Sequence, residues 1–127
     1  MFDLTIALGD RADGLAVMGE ALGAAGISIG GGGVFTVDGA AIGHFLVGEG
    51  AAASQALAAA GITVTACREV LARRLDQEVP GQLGAITRAI AAAGATVEVL
   101  YSDHDHRLIL LTSDQDAAAT ATSAWDR

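Results

Sequence analysis

The tetrad Asp103-His104-Asp105-His106 is the most chemically suggestive stretch of this sequence. Imidazole and carboxylate together are ligands that a divalent metal takes. Adjacent residues on a tight turn point in different directions, so a cage would need His44 from elsewhere in the chain. A metal sensor built on His44, His104 and His106 is one reading; a polar hairpin turn with aspartates in their usual turn role is the other. The run Gly30-Gly31-Gly32-Gly33 lacks the Lys-Ser/Thr pair and the following helix of a phosphate loop. It reads as a bulged strand or a place of close backbone approach. Cys67 stands beside Arg68, a neighbour that favours a thiolate, but no Cys-His-Asp pattern follows. His44, in Gly43-His44-Phe45, reads as a strand histidine with a satisfied hydrogen bond. Arg73-Arg74 reads as part of a solvated edge strand. Nothing in this set makes an acid–base or nucleophilic pair, so no catalytic residue is assigned.

The elements that must position these residues come in two similar halves. Ala24-Ala25-Gly26 recurs as Ala92-Ala93-Gly94, an offset of 94 − 26 = 68. At that offset Leu15 meets Leu83, Met18 meets Ile86 and Leu22 meets Ile90, which is the three-and-four spacing of a helix face. Gly26 and Gly94 follow as natural residues for a left-handed helix stop. The first half reads as a strand over residues 2–8, a helix over 15–25 with Asp13 as its N-cap, and a strand over 27–37. Asp38-Gly39 then makes a hairpin turn to a strand over 41–47, followed by a helix over 51–60 and a strand over 62–65. The second half reads as a strand over 69–75, a helix from Pro80-Gly81 to residue 93, strands over 96–101 and 108–112, and a helix over 114–125. The expected fold class is α+β, two ferredoxin-like βαββαβ sandwiches in tandem, residues 1–66 and 67–127, the second without its last strand.

Composition narrows the function. The chain has 127 residues, 52% of them hydrophobic and 17% charged, which argues for a packed chain over a disordered one. Aromatics are 4%, while 28 Ala and 17 Gly make the expected cores thin. The net charge is −8 with seven Arg and no Lys, so no basic stripe exists for a nucleic-acid backbone. One cysteine rules out an internal disulfide, and a reducing cytoplasm is the expected compartment. The longest uncharged run, residues 50–67, is Ala-rich and interrupted by Ser, Gln, Gly and Thr, unlike a membrane span. Halves of about 65 residues are marginal alone, which points to a homo-oligomer, a dimer first.

Two loops carry a family resemblance. Asp10-Arg11-Ala12-Asp13-Gly14-Leu15 and Glu78-Val79-Pro80-Gly81-Gln82-Leu83 resemble the acidic-x-Pro-Gly-x-Leu step of ACT domains, small modules that bind amino acids. The helix-to-strand steps Ala-Gly-Ile-Ser-Ile and Ala-Gly-Ala-Thr-Val add to it, and the likeness covers roughly residues 2–113. The first loop departs from the pattern, with Ala12 for Pro and Asp13 for Gly; the second has Glu78 for Asp. The resemblance implies a free-standing, non-catalytic regulatory protein. Its amino-acid site would lie between paired modules, near the loops from first strand to first helix, with no cofactor.

The physical chemistry of those loops agrees. A helix N-terminus offers free N–H groups and partial positive charge to an α-carboxylate. Gly81, like Gly14, leaves access, and Gln82, Leu15 and Leu83 follow on the first turns. Asp10, Asp13 and Glu78 are partners for an α-ammonium, and Ser28 and Thr96 are the nearby hydroxyls. Pro80 favours the second loop over the first, where Asp13 would repel a carboxylate. Besides the metal sensor, the competing reading is a ligand-free interaction module that pairs through an open sheet edge.

Overall fold

The computed structural model describes all residues, Met1–Arg127, and divides into two compact units, Met1–Glu69 and Val70–Arg127. In the first, β1 (Phe2–Gly9) sets Leu4, Ile6 and Leu8 on one buried face by its period of two, with Asp3 buried on the other. The chain then forms α1 (Gly14–Ala24), β2 (Gly31–Val37), β3 (Ala40–Val47), α2 (Gly50–Ala59) and β4 (Thr63–Glu69). The strands make one antiparallel sheet in the order β2-β3-β1-β4. Leu4, Ile6 and Leu8 of β1 pack with Met18 and Leu22 of α1 and Leu57 of α2. Alanines on the helices, such as the fully buried Ala53, let the backbones sit close to the sheet.

The second unit repeats this with β5 (Leu71–Arg73), α3 (Gln82–Ala92), β6 (Val97–Ser102), β7 (Leu108–Thr112) and α4 (Gln115–Ala121), closed by a 3₁₀ turn at Ser123–Trp125. Its sheet has three strands in the order β5-β7-β6. Ile86 and Ile90 of α3 pack on Leu108, Leu110 and Ala118, with Trp125 against the same cluster. Each unit is a ferredoxin-type sandwich, and the second has no strand in the place that β4 fills in the first.

Several local readings need correction. The strand expected over 27–37 begins only at Gly31. Ile27 and Ile29 are instead packed against the core ahead of the strand. β4 runs on through Cys67 to Glu69 because it keeps its ladder with β1, whose Phe2 pairs with Glu69. The strand expected over 69–75 shrinks to three residues, and the last helix ends at Ala121 before the 3₁₀ turn. Asp13 does not cap α1 with its side chain, which is held by Arg11 Nε at 2.7 Å. Arg73 is not solvated. It is 7% exposed, donates to Thr122 Oγ1 at 2.8 Å and to the Ala119 carbonyl at 3.2 Å, and pairs with Asp126. Leu15 and Leu83 occupy matching second positions of α1 and α3 but are 48% and 51% exposed, outside both cores.

The glycine stops hold. Gly26, Gly61 and Gly94 follow α1, α2 and α3 with φ of +72°, +76° and +83°. Asp38 and Gly39 both have positive φ, the signature of a type I′ hairpin turn between β2 and β3.

Candidate functional site

Each unit presents a strand-to-helix loop at the C-terminal end of its first strand. In the first, Asp10 and Asp13 are exposed, and Gly14 opens α1 from a buried position. A Cβ on Gly14 would lie 3.2 Å from the Leu8 carbonyl, so the close packing of loop on strand requires a small residue. Asp13 and Arg11 form an exposed ion pair at 2.7 Å. That hydrogen bond holds the Asp13 carboxyl below the usual carboxylate range and raises Arg11. The mouth of α1 thus already carries its own carboxylate and cation.

The second loop is built differently. Gly81 is the cap residue of α3, with φ of +91°, and Gln82 is the first helical residue. Pro80 therefore lies one residue before the cap, not in the first turn as its type suggests. A Cβ on Gly81 would meet no atom within 4 Å, so the position selects glycine by backbone conformation, not by space. The first turn of α3 has no acidic residue. The loop before it is tied by the Asp76 N–H donating to Gln82 Oε1 at 3.4 Å, and Glu78, Val79, Pro80, Gly81 and Leu83 all face solvent.

The remaining predicted residues lie elsewhere. Ser28 follows α1 near the N-terminal end of β1, whereas the β1–α1 loop is at the C-terminal end, where Gly9 pairs with Ala41. It lines a cleft of about 250 Å³ with Gly26, Ile27, Gly48 and Glu49. Thr96 is likewise joined to Ser113, past the end of β7 and away from the Asp76–Gly81 side, its N–H donating to Ser113 Oγ at 2.8 Å. Neither hydroxyl meets the helix mouth of its own unit. A cleft of about 630 Å³ runs between α2 and the edge of β4 and is lined by Ser54, Ala58 and residues from Gly61 to Cys67.

The tetrad is a structural turn. The Asp103 side chain is buried and accepts from the Asp105 N–H at 3.0 Å, the Arg107 N–H at 2.8 Å and Arg107 Nε at 2.8 Å. Burial alone pushes this carboxyl up, but those hydrogen bonds and the nearby guanidinium outweigh it, and the carboxyl lies below its usual range. His106 takes a positive φ of 58°, and both histidines are exposed. Arg74 reaches the same turn, 2.7 Å from Asp105 Oδ2, and so ties the loop before α3 to the tetrad. Their sequence separation gave no sign of that contact. His44 sits on β3 with Nδ1 donating to Asp3 at 3.0 Å. No three His, Cys, Asp or Glu side chains gather closely enough to hold a metal ion.

No protein-family model and no curated protein matches the sequence. Solved structures do. A protein from Bacteroides thetaiotaomicron superposes with a TM-score of 0.80 at 19% identity, over 97% of this chain and 86% of the other. The shared fold is two ferredoxin-like sandwiches in tandem. The ligand-free regulatory subunit of aspartate kinase from Thermus thermophilus matches over 99% of this chain and 92% of its own, with TM-score 0.71 and 18% identity. The corresponding subunit from Thermus flavus gives 0.64 at 19% identity, over 99% of this chain and 93% of its own. At these identities the likeness is one of fold. No helix is long and apolar enough to cross a membrane.

Proposed function

We propose that this chain is a non-catalytic regulatory protein that binds a free amino acid between paired ACT-like modules. The observation that carries the reading is the open mouth of α3. Gly81 places no side chain over the first turn, no acidic residue stands in that turn, and the N–H groups there are aimed outward to receive an α-carboxylate. Glu78 and the exposed Val79 and Leu83 surround it, so an ammonium and an apolar side chain both have matching neighbours. The tandem fold shared with a kinase regulatory subunit supports the same reading. The second loop is the site rather than the first, because Asp13 opposes a carboxylate at α1. Ser28 and Thr96 would come from a paired module. The working form is a cytoplasmic homodimer, and no nucleic acid or membrane takes part. Ligand regulates by favouring one assembly over another, which requires unequal affinity for the two.

A thermal-shift screen of the free amino acids tests this, followed by titration calorimetry of any hit and of its amide and decarboxylated analogues. A ligand at a hundredfold excess over its dissociation constant stabilises by about 2.7 kcal/mol. Binding that survives loss of the carboxylate, or no shift with any amino acid, would refute the reading.

A further inference from the structure

The residues after α4 fold back onto the end of β5 and meet it at Arg74. β5 is three residues long and has only β7 beside it. The Arg74 N–H donates to the Trp125 carbonyl at 2.9 Å, and Arg127 Nη2 donates to the Arg74 carbonyl at 3.1 Å. The Arg74 guanidinium turns the other way, to the Asp105 carbonyl at 2.9 Å and Asp105 Oδ2 at 2.7 Å. Arg73 beside it pairs with Asp126 at 3.3 Å. Both backbone polar groups of Arg74 are thus taken by the segment Ser123–Arg127.

Arg74 also begins the loop that leads to α3. Leu75, next in the chain, packs against the same core cluster as Trp125. The Asp76 N–H donates to Gln82 Oε1 at 3.4 Å, and Gln82 is the first residue of α3. The Asp76 carbonyl accepts from the Val79 N–H at 3.1 Å. Three consecutive residues are held in turn by the segment after α4, by the core and by the helix mouth. No unanchored residue separates them, so a shift at one end has to be taken up at the other.

We infer that Ser123–Arg127 is a strap that sets the loop in front of the α3 mouth and regulates that mouth by letting go. The strap can release before the unit opens. Its turn is three residues long, Asp126 is 69% exposed, Arg127 faces solvent and Trp125 is only half-buried. Release orphans no buried charge, because Arg73 keeps Thr122 Oγ1 at 2.8 Å and the Ala119 carbonyl at 3.2 Å. With the strap away, Arg74 loses both of its backbone partners, and the bond from Asp76 to Gln82 ties the loop to the helix without that support. Such a coupling is reciprocal: whatever fixes the mouth also tightens the strap. Its meaning for amino-acid binding rests on the reading proposed above; the experiment uses no ligand, so either can fail without the other.

Trp125 is the sole tryptophan, so quenching of its fluorescence by acrylamide reads the strap. Hydrogen exchange on the full chain reads the loop. Asp126→Asn with Arg127→Ala should raise the quenching. It should also speed exchange at the Asp76 and Val79 amides at least about threefold, while Ile109 to Leu111 keep their rates. Gln82→Ala cuts the opposite end, and should raise both the quenching of Trp125 and the exchange of the Arg74 amide. A segment that merely covers the end of β5 would not respond to that change. Should the double variant leave the quenching where it was, Trp125→Ala makes the same test, with the Arg74 amide reporting the strap. Asp76 and Val79 amides that keep their parent rates when the strap is loose overturn the inference. So does exchange there that rises only in step with β7, and so does a Gln82→Ala variant in which Trp125 and Arg74 are unmoved.

Discussion

Gly81 gives a perturbation whose size follows from geometry. Its φ is +91°, and an added Cβ would touch nothing within 4 Å. A substitution there is opposed by backbone conformation alone. An L-residue in the left-handed region costs about 1–2 kcal/mol, and stiffening of the unfolded chain offsets roughly 0.5 kcal/mol of it. Gly81→Ala should therefore destabilise by about 1 kcal/mol, a fall of roughly 4–8 °C in melting temperature for a small domain. Gly81→Asn should lose less, because Asn enters this region more readily. Gly81→Val should lose about 2 kcal/mol or more, since a β-branched residue at positive φ is strained further. Urea denaturation of the three variants and the parent gives the order. Equal stability for all four would show that the loop relaxes to negative φ. Asn as damaging as Val would mean that a clash, not the dihedral, excludes side chains. Calorimetry on the folded Ala variant then separates access from stability: its affinity for an α-carboxylate should fall while the fold persists.

Asp103→Asn should destabilise by about 2–4 kcal/mol, because it leaves Arg107 beside a carboxamide in a buried site; chemical denaturation at neutral pH checks this. The folded carboxyl lies below its unfolded range, so the Asp103 contribution is fully present above the unfolded pKa of about 3.9. It is lost as pH falls through the lower folded pKa, and that part of the acid-side slope should vanish in Asp103→Asn. Gly32→Ala should destabilise strongly, since its Cβ would run into the His44 carbonyl and the Phe45 backbone; a melt showing less than about 1 kcal/mol would contradict that close approach. Asp13→Gly should leave amino-acid affinity unchanged or slightly raised, and calorimetry showing a clear loss would move the site to the first loop. His104→Ala with His106→Ala should leave the melting curve in place, because Asp103 and Arg107 hold that turn; elemental analysis showing a stoichiometric metal lost in the double variant would favour the metal-sensor reading.

The stops and repeats were the legible part of the fold. Glycine at a helix end and Asp-Gly in a hairpin are demanded by positive φ, a local requirement that residue type reveals. The pairs Met18 with Leu22 and Ile86 with Ile90 are buried as their spacing requires. Leu15 and Leu83 satisfy the same periodicity yet lie outside the cores. A stripe marks a face of a helix, not how far along its axis the sheet extends. Pro80-Gly81 reads as a preset first turn, but proline fixes its own φ and not that of the next residue. The adjacent arginines were hidden for another reason. Burial of Arg73 depends on Thr122 and Asp126, some fifty residues away, which no local pattern discloses. Of the candidate site, the two loops could be named from the chain. That Ser28 and Thr96 stand at the far ends of their units became visible only with strand register.

β7 is buried at all five positions, Leu108 through Thr112, with Ile109 and Leu111 fully covered on the face away from the helices. It is also paired along both edges, with β5 and β6. An amide there can meet solvent only after most of the second unit has come apart. The amides of Ile109 to Leu111 should accordingly be the slowest in their unit to exchange with deuterium, at the rate of its global opening. Those of the exposed Gln77, Glu78 and Gly81 should exchange within the first moments. The contrast separates a frame that stays shut from a helix mouth that a ligand can reach without waiting for it to unfold.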